Sequence, residues 1–141
     1  MDARTTTAIH TPKTDWIETQ LAAIRRNADG IVAALAHAPG DTHSLDDVTA
    51  GVLLGRYKLW ENERAFALTE IHHFPRESHC HVFLAGGTID GILDLYEQAK
   101  DDSKREHGCV LMTISGRKGW ERALAPHGWR HAMTTLYKEF D

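Results

Sequence analysis

The strongest constraint on this chain is a change of period, in which two helical stretches give way to strand-forming residues before the helical pattern returns. The runs 57–60, 65–74 and 79–85 are rich in aromatic, β-branched and other apolar residues. Turn residues separate these runs at 61–63 and 75–78. Runs of this length and composition, divided by short turns, predict three consecutive antiparallel strands.

Helical spacing precedes these strands. Apolar residues recur at steps of three and four over 14–38, which predicts a helix that Pro39 ends and that Gly30 bends or divides. A second helix is predicted from Ser44, whose hydroxyl is a good N-cap, to Gly55.

The elements after the strands complete the fold prediction. A helix is expected over 88–105, with Thr88 as its N-cap and Gly108 closing it. A strand over 109–114, a short helix over 118–125 and a last strand over 129–140 are predicted to follow. Residues 1–13 are predicted to form an edge strand or an ordered arm. The whole chain therefore predicts one α/β (α+β) domain, with a mixed, mostly antiparallel central sheet flanked by helices.

Composition and charge narrow the function classes. The 141 residues are 42% hydrophobic and 26% charged, and 16 Lys+Arg against 20 Asp+Glu give a net charge of -4. Because the chain has no excess of positive charge to attract phosphates, nucleic-acid binding is not expected. No apolar run approaches the roughly 20 residues of a membrane span, and no apolar signal core is evident near the N-terminus, so we expect a soluble cytoplasmic protein. Cys80 and Cys109, without CxxC spacing, are predicted to be buried and reduced.

The hairpin around 75–78 concentrates ionisable residues. With a four-residue loop, His72 lies across from His81. Strand alternation then divides the side chains between two faces. The first face carries Glu70, His72, His79, His81 and Phe83, and the second carries Ile71, His73, Cys80, Val82 and Leu84.

Three interpretations of the first face remain open. It is a solvated or partner-facing surface, or it supplies a catalytic base, for which Glu70, His72 and His81 are the candidates, or it binds a metal ion. A metal is not expected, since Cys80 is predicted on the opposite face and structural zinc takes four ligands, usually with thiolate.

The order of elements and several short runs resemble the GNAT family of N-acetyltransferases. In that family a strand leads into a helix that ends at a glycine–aromatic pair, and the chain then turns into its closing strands. Here 109–114, 119–124 and Gly128-Trp129 stand in those places. More narrowly, the chain is similar to small GNAT-like proteins of tailed phages and prophages, some of them associated with virions or their assembly. The matching runs are SLDDV at 44–48, LW at 59–60, FLAGG at 83–87, GRKGW at 116–120 and TLYKE at 135–139.

One turn decides what the resemblance implies about a cofactor. Members of the family bind the pyrophosphate of acetyl-CoA at a turn of the form R/Q-x-x-G-x-G/A, where a helix begins. The stretch 85–91 has glycines but neither the Arg/Gln nor the spacing, and Asp90 adds negative charge. No cofactor is therefore expected, and acetyl-CoA is the cofactor if the chain is an enzyme. The residues that would then hold it are Phe83, Leu84, Ala85, Gly86, Gly87, Thr88 and Gly91.

A second departure concerns the acid of the reaction. Many family members carry a tyrosine about four residues before the glycine–aromatic pair, which protonates the leaving thiolate. Leu124 stands there in this chain and cannot exchange a proton, and Tyr96 and Tyr137 lie elsewhere.

These observations leave three hypotheses. The first is a phage-encoded GNAT-like accessory protein that acts through protein contacts in virion structure or assembly, in the host cytoplasm or in the virion. The second is an active N-acetyltransferase that acts on an amine, with Glu70 or His72 as base, and the third is a host-directed binding module. Expected partners are phage structural or assembly proteins, and a homo-oligomer is a further expectation.

Overall fold

A computed structural model describes residues 6–7, 14–116 and 118–140. The fold class is confirmed, since helices flank a mixed, mostly antiparallel sheet. A short 3-10 turn, Ala125–His127, follows the last helix. The strands are β1 Thr6–Thr7, β2 Lys58–Glu61, β3 Ala65–His73, β4 Ser78–Gly87 and β5 Leu111–Ile114, and the helices are α1 Thr14–Arg26, α2 Ala28–Leu35, α3 Leu45–Leu53, α4 Ile89–His107 and α5 Gly119–Leu124.

Strand β3 lies at the centre of the sheet. It is antiparallel to β4 along its whole length, while β2 and β1 pair with different parts of its other edge. Strand β5 runs parallel to β4 and follows the long helix α4, as a crossover connection requires. The strand order is therefore β1 or β2, then β3, β4 and β5.

Two apolar layers cover the two faces of this sheet. One layer joins α1, α2 and α3 to the sheet through residues such as Ile31, Val48 and Leu68. The other joins α4 to the opposite face through residues such as Leu95 and Val82. Burial of these side chains is the main favourable contribution to folding.

The predicted N-terminal helix is two helices, and the break lies at Asn27 rather than at Gly30. The side-chain amide of Asn27 donates to the carbonyl of Ala23 at 2.8 Å and to the carboxylate of Glu61 at 2.7 Å. Gly30 lies within α2, where a Cβ would be only 2.7 Å from the ring of Phe66. That glycine therefore makes room for an aromatic ring instead of ending a helix.

The predicted helix caps are confirmed. The Ser44 hydroxyl accepts from the Asp47 amide, and the Asp47 carboxylate accepts from the Ser44 amide, which completes a capping box at the start of α3. The Thr88 hydroxyl caps α4 in the same way by accepting from the Gly91 amide. Gly108 ends α4 in the left-handed conformation, with φ of 64°.

The last predicted strand, over 129–140, is wrong. These residues are described, but they form neither helix nor strand and nearly all are exposed. Of the predicted N-terminal arm, Thr6–Thr7 forms β1, and the rest of it lies outside the described residues. No helix of the described segments is long and apolar enough to cross a membrane.

Candidate functional site

The β3–β4 hairpin brings the predicted ionisable residues onto one face, although the predicted register is wrong by two residues. The Phe74 amide donates to the Glu77 carbonyl at 2.9 Å, so the loop holds two residues rather than four. Glu70 consequently pairs with His81, and His72 pairs with His79. Because side chains alternate with a period of two, a shift by two residues leaves the faces unchanged.

These four side chains form a polar cluster, which we define as Glu70, His72, His79 and His81. The Nε2 of His72 donates to Oε1 of Glu70 at 2.9 Å, and its ring stacks on that of His81 with centroids 5.0 Å apart. The His81 Nδ1 is hydrogen-bonded to the Thr113 hydroxyl of β5 at 2.7 Å. The cluster thus joins three strands and includes adjacent acid and base groups.

The environment favours the neutral form of His81. Burial lowers the pKa of His81, and the neighbouring His72 lowers it further, while Glu70 acts weakly in the opposite direction. A neutral imidazole is able to accept a proton, so His81 has the protonation state that a general base requires.

A β-bulge lies next to the polar cluster. Thr69 pairs with Val82 and Leu68 pairs with Leu84, which leaves Phe83 as the extra residue of β4. The bulge corrects the prediction for Leu84, which was expected on the face away from the cluster. Leu84 instead packs with Leu68 in the layer under α1, α2 and α3.

A cleft of about 260 Å³ begins at this bulge. The last paired residues of β4 and β5 are Val82 and Ile114, and the cleft lies beyond them, between 83–87, 115–116 and α2. Five of the predicted cofactor residues line it: Phe83, Leu84, Ala85, Gly86 and Gly87. Its volume is just below the range of about 300–1,000 Å³ that small-molecule sites occupy.

An aromatic group beside the cleft was missed by sequence reasoning. The ring of Phe83 stacks on Tyr57, with centroids 5.2 Å apart, and meets the ring of His43 edge-on at 4.9 Å. The Tyr57 hydroxyl lies 3.4 Å from Nε2 of His43, and burial together with the charge of Glu70 raises the pKa of Tyr57. Strand alternation predicts which side chains share a face within one hairpin. It therefore gave no signal for contacts from the residue before β2 or from the loop before α3.

The glycines of the turn after β4 are explained by close packing. A Cβ on Gly86 would lie 2.6 Å from the Phe66 ring, which is held between Gly86 and Gly30. Gly87 has φ of 110°, and a Cβ there would lie 2.2 Å from the carbonyl oxygen of Arg64. The spacing of these glycines therefore follows from the packing of β3 against β4.

Two backbone amides and the nearby arginine of this turn are already engaged. The Thr88 amide donates to the Arg64 carbonyl at 3.0 Å, and the Gly91 amide donates to the Thr88 hydroxyl at 3.1 Å. The Arg64 guanidinium is paired with Asp94 at 2.5 Å. Thr88 and Gly91 are absent from the cleft lining, and the acidic Asp90 occupies the first turn of α4. These residues fit poorly as a cradle for acetyl-CoA.

Neither the thiols nor the histidines form a metal centre in the described part of the chain. No group of three or more His, Cys, Asp or Glu side chains among the described residues is arranged to hold a metal ion. Cys80 and Cys109 are free and buried, as predicted. Burial raises the pKa of Cys80 to about 12, so its thiol stays protonated at neutral pH.

Comparison with known structures supports the fold. The chain is similar to a single-substitution mutant of TTHA1254 from Thermus thermophilus, at 18% identity and a TM-score of 0.50, covering 79% of this chain and 91% of that one. It is also similar to a tetramutant of the BH1408 protein from Bacillus halodurans, at 12% identity and a TM-score of 0.50, covering 96% and 99%. No protein-family model and no curated protein matches the chain. At these identities the likeness shows the α+β fold alone.

Proposed function

We propose that the chain is a GNAT-like accessory protein that acts through protein contacts in phage virion structure or assembly. The observation that carries this proposal is the apolar, exposed segment 129–140, in which large side chains face solvent. Their exposed fractions are 78% for Met133, 88% for Leu136, 70% for Tyr137 and 97% for Phe140. Exposed apolar residues in such density are typical of surfaces that bind another protein. The phage context rests on the resemblance of the short runs described above.

The turn after β4 supports the same proposal. Its glycines accommodate the Phe66 ring and the Arg64 backbone, and two of its amides are already hydrogen-bonded. A GNAT-like fold that does not bind acetyl-CoA at this turn would act through its protein-binding surfaces.

Cross-linking mass spectrometry on virions or assembly intermediates of the encoding phage tests the proposal. We expect Lys138, the lysine within 129–140, to cross-link to a phage structural or assembly protein. Leu136→Asp should abolish these cross-links, while Leu54→Asp, a matched change at an exposed leucine of the α3 end, should keep them. Cross-links to a host protein instead would favour a host-directed binding module, and absence of the chain from all assemblies would refute the proposal.

A second candidate function, N-acetyl transfer, is favoured by one specific observation. The polar cluster directly adjoins the bulge at Phe83, where the cleft begins. In such a reaction acetyl-CoA would supply the acetyl group as a thioester, and His81 or Glu70 would accept the proton of the attacking amine. The buried Leu124 offers no proton to the leaving thiolate.

Acetyl-CoA separates the two candidates. The accessory function predicts an unchanged melting temperature at millimolar acetyl-CoA, because a ligand stabilises a protein only by binding its folded state. A rise of several degrees, with acetylation of an added amine that His81→Asn abolishes, would instead establish the transferase.

A further inference from the structure

One strand edge and one segment without helix or strand lack a β-sheet partner among the described residues. Strand β5 pairs with β4 along one edge only, and 129–140 pairs with no strand. We propose that the chain forms a two-fold dimer in which 129–140 of each copy pairs with the outer edge of β5 in the other copy. The inference goes beyond the proposed function, because it names a second copy of this chain as a partner of this segment.

The edge of β5 is unprotected against pairing. Soluble proteins usually guard an exposed edge with charged residues, proline or a covering element. The run 110–114 contains no charged residue and no proline, and Val110 and Leu111 are 65% and 44% exposed. Such an edge offers backbone donors and acceptors beside an apolar surface, which suits the addition of a strand.

The segment 129–140 has the composition of that missing strand. It contains Thr134, Thr135, Tyr137 and Phe140, all residue types that strands favour. In an extended conformation Met133 and Tyr137 share one face while Leu136 points to the other, so both apolar layers of the sheet would gain a side chain. About a dozen extended residues span roughly 40 Å, which exceeds the length of β5.

The start of the segment is fixed while the rest is free to reach another copy. Gly128 has φ of 90°, and the ring of Trp129 meets that of Tyr96 on α4 at 5.4 Å. Beyond Trp129 every described residue is exposed, and the β5 edge of the same copy is left open. A second copy has the same β5 edge and the same segment 129–140. A two-fold axis therefore lets the segment of each copy pair with the β5 edge of the other.

Sedimentation velocity of the full chain provides the first test. We expect a dimer for the native chain and for Thr135→Val, which keeps both the backbone amide and the preference for a strand. Thr135→Pro removes the amide and should yield a monomer with an unchanged helical signal in circular dichroism. A native chain that is monomeric at all concentrations, or a Thr135→Pro variant that stays dimeric, would overturn the dimer.

Cross-linking between copies identifies the surfaces. A copy carrying Val110→Cys is mixed with a differently tagged copy carrying Leu136→Cys, and a short bismaleimide is added. The proposal predicts heterodimer cross-links, which should be absent when Val32→Cys on α2, a comparably exposed position, replaces Val110→Cys. Cross-links found only within one chain that carries both cysteines would show that the segment pairs with its own β5.

The proposed function and the dimer fail in different experiments. If the chain is monomeric yet Lys138 cross-links to a phage protein, the accessory function stands and the second-copy inference is wrong. If acetyl-CoA is bound and turned over by a dimer, the dimer stands and the accessory function is wrong.

Discussion

The β3–β4 hairpin and the segment 129–140 are both rich in strand-forming residues. The first is paired along its whole length, whereas the second has no strand partner among the residues that the structure describes. The hairpin finds its partner across a two-residue loop, closed by the Phe74 amide and the Glu77 carbonyl. The segment has no such neighbour in sequence, and its pairing depends on an edge supplied from elsewhere. Strand preference alone therefore does not form a strand, because the backbone groups need a partner.

The largest expected effect contrasts a leucine in each region. Leu68 is fully buried in β3, and Leu68→Ala should lower the free energy of unfolding by about 2–5 kcal/mol through lost burial and a residual cavity. Leu136→Ala in the exposed segment should change it by less than about 0.5 kcal/mol. Urea unfolding of dilute, monomeric chains measures both.

A loss of unfolding free energy for Leu136→Ala close to that for Leu68→Ala would contradict this expectation. It would mean that 129–140 is a packed strand of its own copy.

The next effect concerns the glycine turn after β4. Gly86→Ala should destabilise the protein by about 1–3 kcal/mol, because the added Cβ would press on the Phe66 ring. Gly119→Ala is the matched control, since nothing lies within 4 Å of a Cβ there, and it should be neutral or slightly stabilising. Thermal unfolding of both variants distinguishes a glycine needed for packing from one that is merely present. Equal melting temperatures for the two would argue that Gly86 serves a ligand instead.

A smaller effect is expected at the start of α4. Thr88→Ala removes the hydroxyl that accepts from the Gly91 amide and should cost about 1 kcal/mol. Thr88→Ser keeps the hydroxyl and should retain most of the stability. If both substitutions are neutral in chemical unfolding, the residue is not acting as a helix cap.

The smallest effect is a pH dependence from His81. Its pKa is lowered in the folded protein, mainly by burial, while the unfolded chain has the ordinary value of about 6.5. The unfolded state therefore binds more protons below about pH 6.5, and stability should fall as the pH drops through that range. His81→Asn should flatten this part of the stability profile, measured by urea unfolding between pH 7 and 5. An unchanged slope would show that His81 is solvated, despite its stacking on His72 and its bond to Thr113.

How far the sequence predicts this site depends on the range of the contacts. Alternation within the hairpin placed Glu70, His72 and His81 on one face, because that information is local. The bulge at Phe83 had no signature in the residue pattern, so Leu84 was assigned to the wrong layer. The contact of Tyr57 with Phe83 joins the residue before β2 to β4, and no spacing within one run encodes it.

The same distinction explains the errors in the fold. Capping at Ser44 and Thr88 is a short-range property and was predicted correctly. The role of Gly30 depends on its contact with the Phe66 ring of β3, and the spacing of apolar residues along a helix does not predict such a contact. For 129–140, strand preference was evident in the residues, but the availability of a partner edge is a property of the assembled protein.

Hydrogen exchange distinguishes a strand that 129–140 forms only on pairing with another molecule from one that it forms within its own copy. Amide exchange of 130–140 is followed by mass spectrometry across a concentration series of the full native chain. We expect rapid exchange in dilute samples and protection that increases with concentration, since hydrogen bonds to a β5 edge of a second copy form only on association. Protection that is strong at every concentration would contradict this expectation by showing pairing within one copy, and rapid exchange at every concentration would contradict pairing between copies.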